Sequence, residues 1–305
     1  MNPVCGLDIA KDEVVATILS DNHNKETRKF GVHLDELFEL KKWLKTNNCT
    51  KTVMESTGVY WMPIYASLEE SDFEVVLANP RQVKAIPGRK TDIKDSEWLA
   101  YLLRSELVKP SYVPDATLRS LRSLTRLRAT LIQDQAGYKN KVHRILQLCN
   151  IRLDSEITDI FGKSGRILIK AIAEGESLDK ALEQCPASVK KNSEAIKASV
   201  MGSLSQADLF QLKLCMGVVD EFERKIGDLD SQIVKYVDVD VVNKLSSVPG
   251  VGFVSAATVA AELGDVSRFV DEKSVCSYCG ITPSVRQSGK KRWNGHITKY
   301  SPSAV

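Results

Sequence analysis

Four carboxylates in this 305-residue chain have the types and spacing for phosphodiester chemistry. Asp8 follows Gly6-Leu7 in an apolar run, where a charge at a strand end is costly unless it has a partner. Glu55 closes a second such run, Val53-Met54-Glu55. Asp92 and Asp95 stand three apart, which on a helix places them on one face about 5–6 Å from each other. Four carboxylates brought to one place cannot all stay ionised without a cation, and an oxygen-only ligand set suits Mg²⁺ or Mn²⁺. Paired ions about 3.5–4 Å apart would polarise both oxygens of an in-line displacement at phosphorus. Arg89 and Lys90, just before Asp92, add phosphate-binding charge. Taken singly, each acid also reads as a helix cap or a surface carboxylate; the set of four carries the metal reading.

A second group lies towards the other end of the chain. Arg286-Gln287-Ser288-Gly289-Lys290-Lys291-Arg292 sets a serine before a glycine in a basic stretch that reads as a loop. A hydroxyl nucleophile needs a base or a metal to activate it, so on this chemistry alone Ser288 is an ordinary turn serine. Upstream, Val248-Pro249-Gly250-Val251-Gly252 reads as a turn between two helices. Its glycines would bring backbone amides close to a surface, with the next helix offering its N-terminus to a phosphate. That pattern fits a helix-hairpin-helix binder of the DNA backbone and equally a tightly packed Pro-Gly turn. Cys276 and Cys279 form one CxxC, but only His296, seventeen residues on, is near enough to join them, so the second ligand pair of a zinc site is missing.

The elements that must position these residues follow from periodicity. Period-2 apolar runs predict strands at Val4 to Ile9, Val14 to Leu19, Thr27 to Val32, Thr52 to Glu55 and Glu74 to Ala78, the last stopped by Asn79-Pro80. Helical spacing predicts helices over Leu34 to Leu44, Trp61 to Glu69 and Thr91 to Ser105. Three strands joined by tight turns and followed by βα units fit an α/β RNase H-like sheet better than a doubly wound nucleotide-binding fold. In such a sheet the first and fourth strands are neighbours, which would bring Asp8 to Glu55. Two long helical runs follow, Leu118 to Cys149 and Val219 to Val237, the second with the 3-4 alternation of a coiled coil. They are expected to pack together or against a second chain. Residues 151–215 show short helical patterns without a motif.

Composition sets the frame. Hydrophobic residues at 43% and charged residues at 27% exclude disorder and collagen, and the length suits about two domains. The net charge of +3 hides an uneven distribution. Residues 81–150 hold 14 Lys+Arg against 6 Asp+Glu, and residues 281–305 hold five basic residues and no acid. Those two zones, which include Arg119, Arg122 and Arg126 as well as Arg286, Lys290, Lys291 and Arg292, read either as solvated faces or as tracks for a polyanion. No apolar stretch approaches the roughly 20 residues of a membrane span, and because the first residues show no basic run followed by an apolar one, no export signal is expected. Seven scattered cysteines are therefore expected to be reduced thiols in a cytoplasm.

Together these residues resemble the DEDD transposases of the insertion sequence one-ten group, relatives of the Piv invertase. The resemblance rests on Gly6-Leu7-Asp8-Ile9-Ala10-Lys11, Met54-Glu55-Ser56-Thr57-Gly58-Val59-Tyr60-Trp61 and Lys90-Thr91-Asp92-Ile93-Lys94-Asp95. It rests further on Val248-Pro249-Gly250-Val251-Gly252, and on Gln287-Ser288-Gly289-Lys290 with Gly295-His296-Ile297-Thr298-Lys299. It implies a RuvC-like (RNase H-fold) domain over residues 1–110 whose Asp8, Glu55, Asp92 and Asp95 hold Mg²⁺. A helical coiled-coil segment over 111–240 would mediate dimerisation, and a small helical transposase domain over 241–305 would present Ser288 for a covalent phosphoserine link to DNA. It also implies a site shared between protomers of a dimer or tetramer, and a structured bridge RNA that reads target and donor DNA by base pairing while the protein reads shape and backbone. DNA and guide RNA are thus the expected partners, with no membrane, and action at the nucleoid.

The pattern is departed from after Lys299, where the family continues through a glycine and a Leu-Arg pair while this chain reads Tyr300-Ser301-Pro302-Ser303-Ala304-Val305. On that reading the serine domain is truncated and activity is reduced or absent. The alternatives to a recombinase are a junction-resolving nuclease that uses the carboxylates alone, and a non-catalytic nucleic-acid-binding remnant.

Overall fold

The computed structural model describes residues 2–20, 24–86, 95–289 and 291–297, and most of its regular structure is helical. It divides into two compact units, residues 1–113 and 114–305.

The first unit is built on β1 (Val4–Ile9), β2 (Val14–Leu19), β3 (Lys25–Phe30), α1 (Leu34–Thr46), β4 (Lys51–Glu55), α2 (Trp61–Glu69), β5 (Glu74–Ala78), α3 (Pro80–Ala85) and α4 (Asp95–Arg104). The strands form one sheet in the order β3-β2-β1-β4-β5. β2 runs antiparallel to β1 and β3, while β1, β4 and β5 are parallel. The first and fourth strands are neighbours, as expected, and the sheet is consistent with the RNase H-like fold.

Alternation along the strands assigns the two faces. Cys5, Leu7, Val14, Ala16, Ile18, Met54 and Leu77 point to the layer of α1 and α2, where Leu37, Leu40, Trp43, Leu44, Ile64 and Leu68 complete a core. The opposite face carries Val4, Leu19, Val53, Val76 and Ala78, covered by Trp98, Leu99, Leu102 and Leu103 of α4. β3 lies two residues earlier than the expected Thr27 to Val32. Its ladder with β2 runs from Leu19↔Lys25 to Val14↔Phe30, and the Gly31 amide then turns to the Glu36 carboxylate at 3.2 Å. The first part of the helix expected from Thr91 lies outside the described residues, and α4 is described from Asp95.

The second unit is organised by two long helices, α5 (Ala116–Leu148) and, after the short α6 (Leu153–Glu156), α7 (Lys163–Glu174), α8 (Leu178–Glu183), α9 (Ala187–Lys190) and α10 (Ser193–Ser199), by α11 (Gln206–Ile233). α5 and α11 pack antiparallel, with the Gln135 side chain donating to the Val219 carbonyl at 3.3 Å and Tyr138 tilted against Phe222 at 5.9 Å. The two heptad runs thus meet within one chain. α11 starts thirteen residues before the expected Val219, behind a capping box in which the Asp208 amide donates to Ser205 and the Asp208 carboxylate accepts from the Ser205 amide. The short helices of 151–215 close a core around Leu153, Leu168, Ile169, Leu182 and Ile196.

α12 (Val239–Ser246) and α13 (Phe253–Leu263) then pack Val242, Ala256, Ala257 and Ala261 against Leu121 of α5 and Ile233 of α11. α14 (Glu272–Tyr278) follows, and a hairpin of β6 (Pro283–Ser288) and β7 (Lys291–Ile297) ends the described chain. The carboxy-terminal segment expected as a small helical domain therefore also contains a two-stranded sheet. Among the described residues, no helix is long and apolar enough to cross a membrane.

Candidate functional site

The parallel ladder between β1 and β4 runs Val4↔Lys51, Cys5↔Thr52, Gly6↔Val53, Leu7↔Met54. Carrying that register one residue further brings Asp8 beside Glu55, at the carboxy ends of both strands. Alternation puts this pair on the face that bears Gly6 and Val53. That face is covered by α4, because a Cβ on Gly6 would meet the Ser96 carbonyl oxygen at 2.0 Å and the Ala100 nitrogen at 2.5 Å. Asp95 is the first residue of the same helix. A glycine within a strand marks such a close approach, and here it brings the start of α4 down onto β1 two residues from Asp8.

The helix is also held through Ser96, whose buried hydroxyl shares a 2.8 Å hydrogen bond with Thr17; Thr17 in turn shares one of 2.9 Å with Thr27. Lys25 Nζ and Glu97 add an ion pair at 2.9 Å. Glu55 is half-buried, and Thr57 Oγ1 donates to its Oε1 at 2.5 Å. Asp8 and Asp95 are exposed. Asp92, Arg89 and Lys90 lie outside the described residues.

The donor chemistry of Asp8, Glu55 and Asp95 is that of a hard divalent cation, since all three offer carboxylate oxygens and no softer ligand is present among them. Among the described residues, no group of three or more His, Cys, Asp or Glu is close enough to hold a metal ion. The described carboxylates thus supply a fitting but incomplete ligand set.

The serine region differs from its expected form. Ser288 is the last residue of β6, not part of a loop, and it pairs with Lys291; Gly289 follows with φ +58°, the left-handed conformation that a tight hairpin turn requires. Arg286 pairs with Trp293 and Gln287 with Arg292. Every residue of both strands is exposed. Lys290 lies outside the described residues.

The glycine turn joins α12 to α13, with Gly250 at φ +88° and Gly252 at the helix N-cap. No side chain caps that helix start.

Two of the arginines expected to bind nucleic acid are engaged elsewhere. Arg122 donates to the Ala261 carbonyl at 2.6 Å and the Glu262 carbonyl at 2.7 Å. Arg126 grips the Glu262 carboxylate with two bonds, 2.8 and 2.9 Å, and that bonding raises its guanidinium above the usual range. Glu262 is only 6% exposed, and through it these arginines fasten α13 to α5. Arg119 donates to the Pro114 carbonyl at 2.7 Å. Sequence reasoning missed this clamp and also Thr57, Thr17 and Ser96 around the carboxylates.

A mixed sheet with two acids at the ends of neighbouring parallel strands, and a third acid starting the helix laid across them, defines an α/β domain consistent with the RNase H-like fold. Comparison with known proteins makes this specific. Residues 5–151 match the DEDD transposase family of IS110, and residues 242–305 match the transposase family of IS116, IS110 and IS902. The chain belongs to the IS110 family of transposases. It is 27% identical over 250 residues to a "Probable family 20 transposase" of Pseudomonas aeruginosa, covering 81% of this chain and 65% of that protein. It is 24% identical over 262 residues to an "Insertion element IS116 uncharacterized 44.8 kDa protein" of Streptomyces clavuligerus, covering 73% of this chain and 63% of that one. The matched regions thus span just under two thirds of these relatives. DEDD transposases generally use divalent metal ions.

Proposed function

We propose that the chain is a DNA transposase that cuts and rejoins phosphodiesters with a carboxylate-held divalent cation and Ser288 as nucleophile. The observation that carries it is the register that sets Asp8 beside Glu55 under the α4 face that begins at Asp95. On this reading Asp8, Glu55, Asp92 and Asp95 hold Mg²⁺ or Mn²⁺, which supplies Lewis-acid polarisation of the phosphoryl oxygens.

The Ser288 hydroxyl attacks phosphorus, forming a serine–phosphate ester and breaking one bond from phosphorus to a deoxyribose oxygen. The serine proton is given up as the departing sugar oxygen takes one, so the exchange is neutral in protons. One phosphate ester replaces another, so resealing needs no external energy source. Arg286 and Lys291 sit beside Ser288 as counter-charges for the DNA phosphates. Gly250 and Gly252 present backbone amides to a phosphate. A structured bridge RNA supplies sequence choice, and two or four copies of the chain assemble for exchange.

The test is a denaturing gel of the chain with Mg²⁺, labelled donor and target DNA and RNA transcribed from beside the gene. Wild type is expected to give a labelled, protease-sensitive band that Ser288→Ala and Asp8→Ala each abolish. Nicked DNA without an adduct would favour a junction-resolving nuclease, and retained RNA without cutting would favour a non-catalytic binder.

A further inference from the structure

We propose that the Ser288 face of the β6–β7 hairpin is a stacking platform for unpaired DNA, with Trp293 as the side chain that receives a base. The inference rests on the reading that this hairpin acts on DNA, and deepens it by naming the form of the strand. In an antiparallel pair, directly opposed residues share a face, and every second pair returns to it. Ser288↔Lys291 and Arg286↔Trp293 are such pairs, two residues apart. The serine, two cations and an indole therefore project from one side, with the two pairs about 7 Å apart along the strands at about 3.4 Å per residue. Gln287↔Arg292 projects from the other side, where Arg292 donates to Asn294 at 3.3 Å.

Trp293 differs from the other tryptophans. Trp43 and Trp98 are 5% exposed and Trp61 packs on the core of the first unit, whereas Trp293 is 55% exposed. Among the described residues, neither Arg286 nor Lys291 is paired with an acid, and residues 281–305 contain none. An exposed indole between uncompensated cations is the composition of a single-strand site, where the cations track the backbone and the ring stacks on a base. Duplex DNA keeps its base faces covered by their neighbours, so the ring selects an unpaired nucleotide next to the phosphate offered to Ser288.

The full chain is titrated with labelled oligothymidylate and with its duplex, read by anisotropy and by tryptophan emission. The single strand is expected to bind more tightly and to quench emission. Trp293→Ala should weaken single-strand binding roughly 5- to 160-fold, the range of one lost stacking contact, with duplex binding unchanged. Trp293→Phe should retain part of the affinity but none of the quenching, which guards against a hairpin that merely unfolds. Val285→Thr, on the opposite side, should bind like wild type. Unchanged single-strand affinity in Trp293→Ala, quenching that survives Trp293→Phe, or tighter binding of oligouridylate would overturn the proposal. Ser288→Ala should keep full single-strand affinity while losing the adduct, so failure of the nucleophile assignment and failure of the platform are seen separately.

Discussion

Gly6 of β1 and Ser96 of α4 are in backbone contact: a Cβ on Gly6 would stand 2.0 Å from the Ser96 carbonyl oxygen, and only 3.0 Å from the Leu99 Cβ. Backbone cannot yield as a flexible side chain does, so Gly6→Ala must lift the helix that begins at Asp95 away from the strand that carries Asp8. Such overpacking costs about 1–3 kcal/mol. Urea unfolding should show that loss, together with adduct formation reduced beyond what instability explains. The control is Gly217→Ala, in the interior of α11 with nothing within 4 Å of the added methyl. It should raise stability by about 0.5–1 kcal/mol through helix propensity.

Removing Glu262 should be among the most damaging single changes in the second unit. Its carboxylate is buried and doubly bonded to Arg126, and its carbonyl accepts from Arg122. Truncating one partner of a buried pair leaves the other charge uncompensated, at about 3–5 kcal/mol. Arg126 keeps access to water, with about a third of its side chain exposed, so the lower end is expected for Glu262→Ala, and less for Glu262→Gln. A melting curve for Glu262→Ala that matches wild type would show that the clamp carries no weight.

The same clamp illustrates where the sequence is silent. Arg122 and Arg126 stand in a basic zone and read as phosphate ligands, because the acid that engages them lies 136 positions further along from Arg126 and leaves no local trace. The sheet was legible for the opposite reason. Each of β1, β2, β4 and β5 buries side chains against a core, and burial writes itself as apolar runs bounded by turn residues. That reading placed Asp8 and Glu55 at neighbouring strand ends. The hairpin of Ser288 was not legible, because all of its residues are exposed and no face alternates with another. The short helices of 151–215 each give only a few residues to a core shared among many, too few to establish a period.

Alkaline pH should weaken the first unit through its buried thiols. Cys49 donates to the Lys51 carbonyl at 3.6 Å, and burial pushes its pKa up to about 12 from an ordinary 9.0. Cys5 is also pushed well up, first by burial and then by Cys49. Above pH 9 the unfolded chain releases these protons while the folded chain retains them, so the stabilisation is complete below pH 9 and is lost as pH rises towards 12. The slope is about 1.4 kcal/mol per pH unit for each thiol. Urea unfolding of wild type and Cys49→Ala should therefore differ in slope above pH 9 and run parallel below it. Equal slopes throughout would remove the assignment.

Thr57 should tune the carboxylate site without joining it. Its hydroxyl donates to Glu55 Oε1 at 2.5 Å, which fixes the carboxylate rotamer and leaves Oε2 for other partners. Groups that orient a metal-binding side chain typically alter metal affinity by about 10–100-fold when removed. Thr57→Val should therefore raise the Mg²⁺ or Mn²⁺ concentration needed for half-maximal adduct formation by about tenfold while leaving the saturating level close to wild type. Thr57→Ser, which keeps the hydroxyl, should restore the wild-type midpoint. Activity lost equally at all metal concentrations would mean that Thr57 acts on the fold of the β4–α2 connection rather than through Glu55.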